Sequence, residues 1–296
     1  MFLTMIITLR RRRAIPLDLF FAYWVNAHAA QIASRLPGIH DLWLHELSYE
    51  SGLLWPRVGG IGFELPEEDR FEGIPEPAFA SEEGVGQFLG AMAPLMDDEA
   101  NIFEETIAYQ SLGGNSKTYV DRTDDARGSA GLLRFMLFLR AREGVAGEAF
   151  REFMSETFAP HLASSDYVLK LRQHLFEPYT DDYGGMDARG LSHAKAPDKQ
   201  YQAMCEIAFA NALELGKLTR SDSWTQLAAG LPQYAGGCHA FGVDATHRLR
   251  RDGELTLDGL RTPMVADLIR RVGAVSQLEP AVTDLVLGRA REAVLG

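Results

Sequence analysis

The sequence is poor in three features that define large classes of proteins: cysteine, long apolar runs and basic charge. Only Cys205 and Cys238 occur, far apart, so we expect neither a disulfide framework nor a paired-cysteine metal site, and we predict a reducing, cytoplasmic location. Residues 3–9 are too short to span a bilayer, and arginines 10–13 follow this run, whereas those of a secretion signal precede it. The formal net charge of −12 disfavours nucleic acids and anionic membranes as partners.

The common cofactor and hydrolase motifs are also missing. The sequence has no GxGxxG after a strand, no P-loop, no GxSxG and no HExxH, which leaves nucleotide-dependent enzymes, serine hydrolases and zincins without support. The histidines are scattered and lack carboxylates at ligand spacing, so no metal site is expected.

The pattern of predicted elements repeats within the chain. The first half predicts strands near 2–10, 41–49, 73–80 and 116–122 and helices near 17–35 and 82–108. A polar, glycine-containing segment at 121–131 is typical of a linker, after which strand 132–142 starts a similar order that ends in a strand at 243–250. We therefore predict units at 1–122 and 131–262, followed by a helical extension at 263–296 that packs on the barrel or on a second subunit.

Identical residues at matching spacings support a duplication. Phe20 and His28 are eight residues apart, as are Phe153 and His161. The stretch "EPAF" at 76–79 matches "EIAF" at 206–209. His45 and His174 lie on matching predicted strands, and the three matches occur in the same order in both halves.

A βαββαβ unit predicts a ferredoxin-like, four-stranded antiparallel sheet with both helices on one face. The first strand is apolar on both sides, with Leu3 and Met5 on one face and Ile6 between two threonines on the other, so its second face needs a cover. We expect the second unit to supply that cover. The predicted fold is therefore a single-chain α+β barrel with its helices outside and a small interior, in a monomer or homodimer.

The quoted residues resemble a known family. The stretches "FFAYWVNAHAAQIASRLPGI" at 20–39, "GIPEPAFAS" at 73–81 and "DDEANIF" at 97–103 are similar to EthD domains of the dimeric α+β barrel superfamily, and "FMSETFAPHL", "CEIAF" and "CHAFGV" carry a weaker similarity in the second half. The resemblance implies a small-molecule pocket and relatives that include cyclases, dehydratases, isomerases and cofactor-free monooxygenases. Related tandem barrels bind haem through one axial histidine, which His161 or His174 would supply here.

Three histidines lie on predicted strands. In "LWLHELSYE" the alternation places Trp43, His45 and Leu47 on one face, and one face of this strand is the barrel interior. His174 is its repeat partner, and His247 lies on the last strand. A neutral imidazole in a closed pocket suits enolisation, cyclisation or dehydration, and a structural hydrogen-bonding role is the alternative for each residue.

Helix residues form a second candidate group. Trp24 and His28 lie one turn apart with Tyr23 alongside, so His28 faces the sheet or its edge. His28 and its repeat His161 are either structural residues bonded to a neighbouring strand or acid-base catalysts in a cleft under the helix.

Two acidic residues and two aromatic residues complete the predicted set. Glu76 and Glu206 lie on strands that read as buried, so each is either paired, with Arg134 or Arg35, or has a raised pKa and a catalytic task. We predict His45, His174, His28, His161 and His247 as catalytic residues. The predicted substrate contacts are Tyr23, Trp24, Trp43, Glu76, Glu206, Phe79 and Phe209, although core packing is the simpler explanation for Phe79 and Phe209.

The resemblance and the repeated histidines together predict a cofactor-independent lyase, cyclase or isomerase that acts on a small, apolar, oxygenated metabolite. The alternatives are a haem-binding or cofactor-free oxidoreductase on the same barrel and a non-catalytic, ligand-binding accessory protein.

Overall fold

Alternating strand residues and amphipathic helices build an α+β barrel in this computed structural model, which describes residues 1–123, 131–180 and 191–289. In β1 (Leu3–Arg11), Leu3, Met5 and Leu9 pack under helices while Ile6 points to the opposite side. The period of two therefore gives the strand two buried faces, as expected.

Nine further strands complete the sheet. They are β2 (Ile39–Ser48), β3 (Gly73–Phe79), β4 (Phe103–Leu112), β5 (Ser116–Asp121), β6 (Leu133–Ala141), β7 (Lys170–Leu175), β8 (Ala203–Phe209), β9 (Ala235–Arg251) and the short β10 (Glu254–Leu255). The first half has the order β4-β1-β3-β2 and the second has β9-β6-β8-β7, with antiparallel neighbours throughout. Each half is thus a ferredoxin-like unit, and the predicted fold class is confirmed.

The last strand of each half crosses to the other half and joins the two sheets. The first part of β9 pairs with β6, and its second part pairs with β2. Likewise β4 pairs with β1, and after a short turn β5 pairs with β7. The Glu177 amide donates to the Gln110 carbonyl at 2.8 Å, so the chain after β7 also meets β4 and closes the barrel.

The helices cover the outside of the barrel. They are α1 (Leu17–Tyr23), which continues as a π-helix (Trp24–Ile32) and a 3-10 turn (Ala33–Arg35), α2 (Tyr49–Gly52), α3 (Glu82–Ala91), α4 (Ala93–Ile102), α5 (Gly147–Glu152), which continues as a π-helix (Phe153–Phe158) into α6 (Ala159–Ala163), α7 (Ala212–Thr219), α8 (Asp222–Gly230), α9 (Leu257–Arg261), α10 (Pro263–Val272) and α11 (Pro280–Val286). Short 3-10 turns occupy Glu67–Asp69, Pro197–Lys199, Leu231–Gln233 and Val275–Leu278. In the described part of the chain, no helix has the length and apolar character needed to cross a membrane.

Two predicted boundaries were wrong. The helix predicted for 82–108 ends at Ile102, and Phe103–Leu112 is strand β4, because Ile107 and Tyr109 alternate into the interior and have high strand propensity. The segment near 116–122 is therefore not the fourth strand of the first half but a crossing strand. The last strand is longer than predicted and starts at Ala235. The predicted linker at 121–131 lies mostly outside the described residues, and the unit boundaries at 122, 131 and 262 stay predictions.

The start of the C-terminal extension is a capped helix. The Thr262 hydroxyl accepts a hydrogen bond from the Val265 amide, and Pro263 occupies the first helical position. The Met264 amide donates to the Asn26 side-chain oxygen at 2.9 Å, so α10 lies against the first long helix of the same chain.

Candidate functional site

The barrel interior has an aromatic end and an ionic end. On several strands an apolar inward residue lies two positions from a charged or histidine residue, as in Ile74 and Glu76 or Met204 and Glu206. Because the strands are antiparallel and in register, these polar residues meet at one level. The aromatic end contains Phe71, Tyr109, Phe138, Phe176, Tyr201 and Phe241.

An arginine ties the two halves together at the ionic end. The Arg172 Nη1 and Nη2 atoms each donate to one carboxylate oxygen of Glu76 at 2.6 Å, and its Nε donates to Glu206 at 3.0 Å. Glu76 belongs to the first half and is only 2% exposed. Bidentate pairing is the strong geometry for arginine and carboxylate, so this contact joins the two sheets across the interior.

Both buried carboxyl groups are held ionised. Burial alone would raise the pKa of Glu76, but the charge of Arg172 and the hydrogen bond from His45 outweigh it and place the pKa well below its usual range. Burial opposes ionisation of Glu206 as well, but the charges of Arg172, Arg134 and Lys170 outweigh it and hold its pKa well below the usual value. Arg134 hydrogen-bonds Glu206 directly, and the Lys170 Nζ lies 3.5 Å from it. Neither carboxyl group is therefore available as a proton donor at neutral pH.

His45 has partners for both ring nitrogens. Its Nε2 lies 3.3 Å from the Glu76 carboxylate, and its Nδ1 lies 3.1 Å from the Thr246 hydroxyl. Arg134 also donates to that hydroxyl, at 2.7 Å, so the Thr246 proton points to His45 Nδ1 and the His45 proton sits on Nε2. Burial lowers the pKa of His45, although the Glu76 carboxylate opposes this. His45 is thus a neutral, fully hydrogen-bonded residue.

His174 differs from His45 at one nitrogen. Its Nδ1 lies 2.9 Å from the Ser116 hydroxyl, which itself donates to Ser111 at 2.9 Å, so Nδ1 carries the ring proton. Its Nε2 has no hydrogen-bond partner within the residues described, and the nearest acidic oxygen, on Glu76, is 4.0 Å away. Burial lowers the pKa of His174 to about 4, with the Glu76 carboxylate opposing and the Arg172 charge assisting. The ring is therefore neutral at pH 7, with a free lone pair on Nε2.

A cavity of about 340 Å³ opens at this ionic end, next to His174. Its wall includes Trp43, Glu76, Arg172 and the turn between β4 and β5. The Arg248 guanidinium stacks 4.4 Å above the Trp43 ring and pairs with Asp41 at 2.6 Å, which fixes that wall. The volume lies at the small end of the range for small-molecule sites.

The site has an approximate two-fold symmetry that was not apparent from the sequence. His45 is opposite Thr246 on β9, and His174 is opposite Ser116 on β5. Each histidine ring therefore shares a hydrogen bond with a hydroxyl group on a strand that crosses from the other half. The strand registers show that Arg134, Lys170 and Arg172 of the second half occupy the positions of Thr4, Asp41 and Trp43 in the first half, respectively. The second half therefore supplies three cations where the first supplies none.

The structure places the other three predicted catalytic histidines outside the interior. His28 Nδ1 lies 2.8 Å from Asp98 and its ring contacts Phe103 edge-on, under the first long helix. His161 Nε2 donates to the Ser223 carbonyl at 3.0 Å in the helical layer of the second half. His247 Nε2 lies 2.9 Å from Glu46 on the outer side of β2. None of the three lines the cavity described above: His28 and His161 lie under the helices, where the sequence placed them, and His247 faces outward from its strand, so a catalytic role for them stays a prediction.

The predicted substrate contacts divide in the same way. Trp43 and Glu76 line the cavity, and Glu206 lies in the adjoining ion-pair network. Trp24 and Phe79 are buried in the outer core of the first half, and Phe209 in that of the second. Tyr23 donates to Asp98 at 2.7 Å, again on the outside. Of the two suggested partners for the buried carboxylates, Arg134 pairs with Glu206, whereas Arg35 instead donates to the Gly259 and Leu260 carbonyls.

Sequence reasoning missed several residues of the site. In "KLRQHL" the alternation of Lys170, Arg172 and His174 places all three on one face, and this signal could have identified them. Ser116 and Thr246 carried no comparable signal, because their contact with the histidines depends on pairing between strands of different halves.

The residues present do not fit a haem. His161 uses its Nε2 in the outer helical layer, away from the interior. The wall beside His174 is an ion-pair network in which Arg172 holds both Glu76 oxygens, so it offers no apolar surface for a haem ring. A metal is no better placed there. In the described ranges, the only three potential ligand atoms that cluster are those of His40, Asp41 and Asp252, and Asp41 is already paired with Arg248.

Comparisons with known proteins identify the fold but no family. No protein-family description and no curated protein matches the sequence, so the EthD resemblance is not shown. A provisionally assigned monooxygenase from Fusobacterium nucleatum superposes with a TM-score of 0.50 at 6% identity, covering 86% of this chain and 96% of its own. At this identity the similarity demonstrates the α+β barrel fold alone.

Two more distant structures also superpose. A provisionally assigned monooxygenase from Lactobacillus acidophilus has a TM-score of 0.45 at 7% identity, covering 83% of this chain and 93% of its own. A DyP-type peroxidase from Cellulomonas bogoriensis has a TM-score of 0.41 at 9% identity, covering 88% of this chain and 92% of its own.

Proposed function

We propose that the protein is a cofactor-independent oxidoreductase that uses dioxygen to oxidise a small carbon acid in the barrel cavity, with His174 as the general base. The observation that carries this proposal is the unpartnered Nε2 of His174, buried at the cavity wall with its other nitrogen held by Ser116. A general base needs a ring nitrogen with a free lone pair next to the substrate, and His174 Nε2 is unpartnered while both nitrogens of His45 are hydrogen-bonded.

The description of the Fusobacterium protein as a monooxygenase supports this reading. It favours the oxidoreductase alternative from the sequence over the lyase, cyclase or isomerase reading. His174 would perform the same first step, proton removal from carbon, in either reaction. What separates the two is the fate of the carbanion.

The proposed reaction converts a CH₂ group next to a carbonyl or aryl group into a ketone. His174 Nε2 takes one proton as the C–H bond breaks, and the carbanion passes its electrons to dioxygen as a C–O bond forms. The imidazolium returns its proton to the peroxide. His174 Nε2 then takes the second proton from the same carbon, and the electrons of that C–H bond form the C=O bond as the O–O bond breaks. The departing hydroxide takes this proton from the imidazolium and leaves as water. One substrate and one dioxygen therefore give one ketone and one water.

Arg172 and Glu76 support the charges that this sequence creates. Arg172 uses three of its five N–H groups on the two carboxylates, which leaves two donors for an enolate oxygen. The Glu76 carboxylate, 4.0 Å from His174 Nε2, stabilises the imidazolium once the proton has moved.

The test combines dioxygen uptake with carbon-acid exchange. A panel of small carbon acids, such as 1,3-indanedione and 2-tetralone, is incubated with the protein, and dioxygen uptake is measured together with deuterium exchange in the absence of oxygen. We expect both, with one dioxygen consumed per ketone formed, and loss of both in His174→Gln but not in His161→Gln, which changes a histidine outside the barrel. Exchange without dioxygen uptake would instead favour the isomerase or lyase reading, and neither activity in the wild type would count against the proposal.

A further inference from the structure

Exposed apolar side chains are concentrated on the C-terminal helices. Eight large apolar residues between 264 and 286 are more than a third exposed: Met264, Val265, Leu268, Val272, Val275, Leu278, Leu285 and Val286. Isolated exposed apolar residues are normal, but a contiguous group of this kind marks an interaction surface.

Helix α10 has two apolar faces, and only one is used. Ala266 is buried and the Ile269 side chain is half-buried against the rest of the chain. Met264, Leu268 and Val272 follow each other at four-residue spacing on the other side, at 61%, 54% and 78% exposure. No element in the described part of the chain covers this second stripe. The 3-10 turn Val275–Leu278, which carries the exposed Val275 and Leu278, contacts both α10 and α11, so the exposed apolar residues lie on neighbouring elements.

The charges beside the stripe indicate what covers it. Asp267 and Arg271 lie one turn apart on the same flank, 3.5 Å from each other and both largely exposed. When two copies of α10 pack antiparallel about a two-fold axis, Asp267 of each lies beside Arg271 of the other. The flank is therefore self-complementary, which is the property that an isologous interface requires.

We infer that the exposed stripe of α10, the turn Val275–Leu278 and α11 form the interface with a second copy of this chain, with the two α10 helices antiparallel. The surface lies outside the barrel and is independent of the proposed chemistry. The apolar stripe supplies the core of the interface, and the Asp267 and Arg271 side chains form its polar rim.

The first test measures the oligomeric state of the full chain by sedimentation equilibrium. We expect a dimer for the wild type and at least a tenfold weaker association for Leu268→Glu, with an unchanged circular dichroism spectrum. The matched control is Leu213→Glu, at a 74% exposed leucine on α7, which should leave the dimer intact.

The second test reverses the flanking charges. Asp267→Arg and Arg271→Asp should each weaken the dimer about five- to tenfold, and the double variant should restore it, because the pairing across the axis is then re-formed. A wild type that stays monomeric up to millimolar concentration overturns the inference, whether or not it binds anionic lipid vesicles. So does a dimer that Leu268→Glu leaves unchanged.

Discussion

His45 and His174 occupy matching positions in the two halves of the barrel, and each receives a hydroxyl from the crossing strand of the opposite half. The first half uses the second nitrogen of its histidine to hydrogen-bond Glu76. In the second half the same nitrogen of His174 lies 4.0 Å from the nearer Glu76 oxygen, beyond hydrogen-bond distance, and has no partner among the described residues. A duplicated fold has thus kept one imidazole as a structural residue and left the other able to react.

The difference arises from the residues around the histidines rather than from the histidines themselves. Where the first half has Trp43 on β2, the second half has Arg172 on β7. Where β2 has Asp41, β7 has Lys170. These substitutions neutralise two buried carboxylates from one side only. The comparison therefore predicts that equivalent changes in the two halves have unequal effects.

The largest expected effect separates the two histidines. His174→Gln should lower the rate of carbon-acid exchange and dioxygen uptake by about 10²- to 10⁴-fold, the usual contribution of a general base. His45→Gln should lower it less than tenfold, since glutamine keeps a donor for Glu76. Steady-state rates of both variants measure this, and equal losses would remove the distinction between the halves.

The next effect concerns the ion pair that joins the halves. Arg172→Met leaves Glu76 without its cation and should lower the free energy of unfolding by about 3–5 kcal/mol, measured by urea denaturation. The double variant Glu76→Met with Arg172→Met should recover most of this, because Glu206 keeps Arg134 and Lys170. Arg57→Met, which breaks an exposed pair with Glu64, should cost less than about 1 kcal/mol. A loss for Arg172→Met as small as that of the control would contradict the account.

Acid should destabilise the protein partly through His174. Its pKa is lowered by burial to about 4, from an ordinary value near 6.5, so the unfolded chain takes up a proton that the folded chain refuses. The free energy of unfolding should therefore fall as the pH drops from about 6.5 to about 4. In His174→Gln this decrease should be smaller by about 3 kcal/mol. Urea titrations at several pH values measure the difference, and identical pH profiles would show that His174 does not titrate in this way.

The smallest effect should come from the two hydroxyl groups. Ser116→Ala removes the acceptor that holds the His174 proton on Nδ1, and should lower kcat about tenfold with little change in KM. Ser116→Thr should restore the activity. Thr246→Ala, the matching change in the first half, should alter kcat less than twofold. Ser116 is a positioning residue in this account, so an unaffected kcat in Ser116→Ala would remove that role.

Local pattern was enough to predict much of this fold. The two-sided apolar character of β1 and the order of the elements predicted a covered ferredoxin-like sheet, and the repeated spacing of Glu76 with Glu206 and of His45 with His174 brought together four residues that do meet in the interior. Periodicity failed at residues 103–108, which were predicted to continue the helix and instead begin strand β4.

The site itself depends on contacts between distant strands. Which hydroxyl faces which histidine follows from the register of β5 on β7 and of β9 on β2, and no local sequence feature encodes this register. The hydrogen-bond partners of His28, His161 and His247 could not be predicted from the sequence either. His28 and His161 lie on helices and His247 on a strand, and the partner of each ring follows from tertiary packing rather than from its local sequence.

The protonation of the two imidazoles tests the central claim most directly. Nitrogen-15 NMR of the histidine rings, assigned with His45→Gln and His174→Gln, reports which nitrogen carries the proton and where each ring titrates. We predict that His174 carries its proton on Nδ1 and titrates near pH 4, while His45 carries its proton on Nε2. A His174 ring protonated on Nε2, or one that titrates near its ordinary value, would contradict the account.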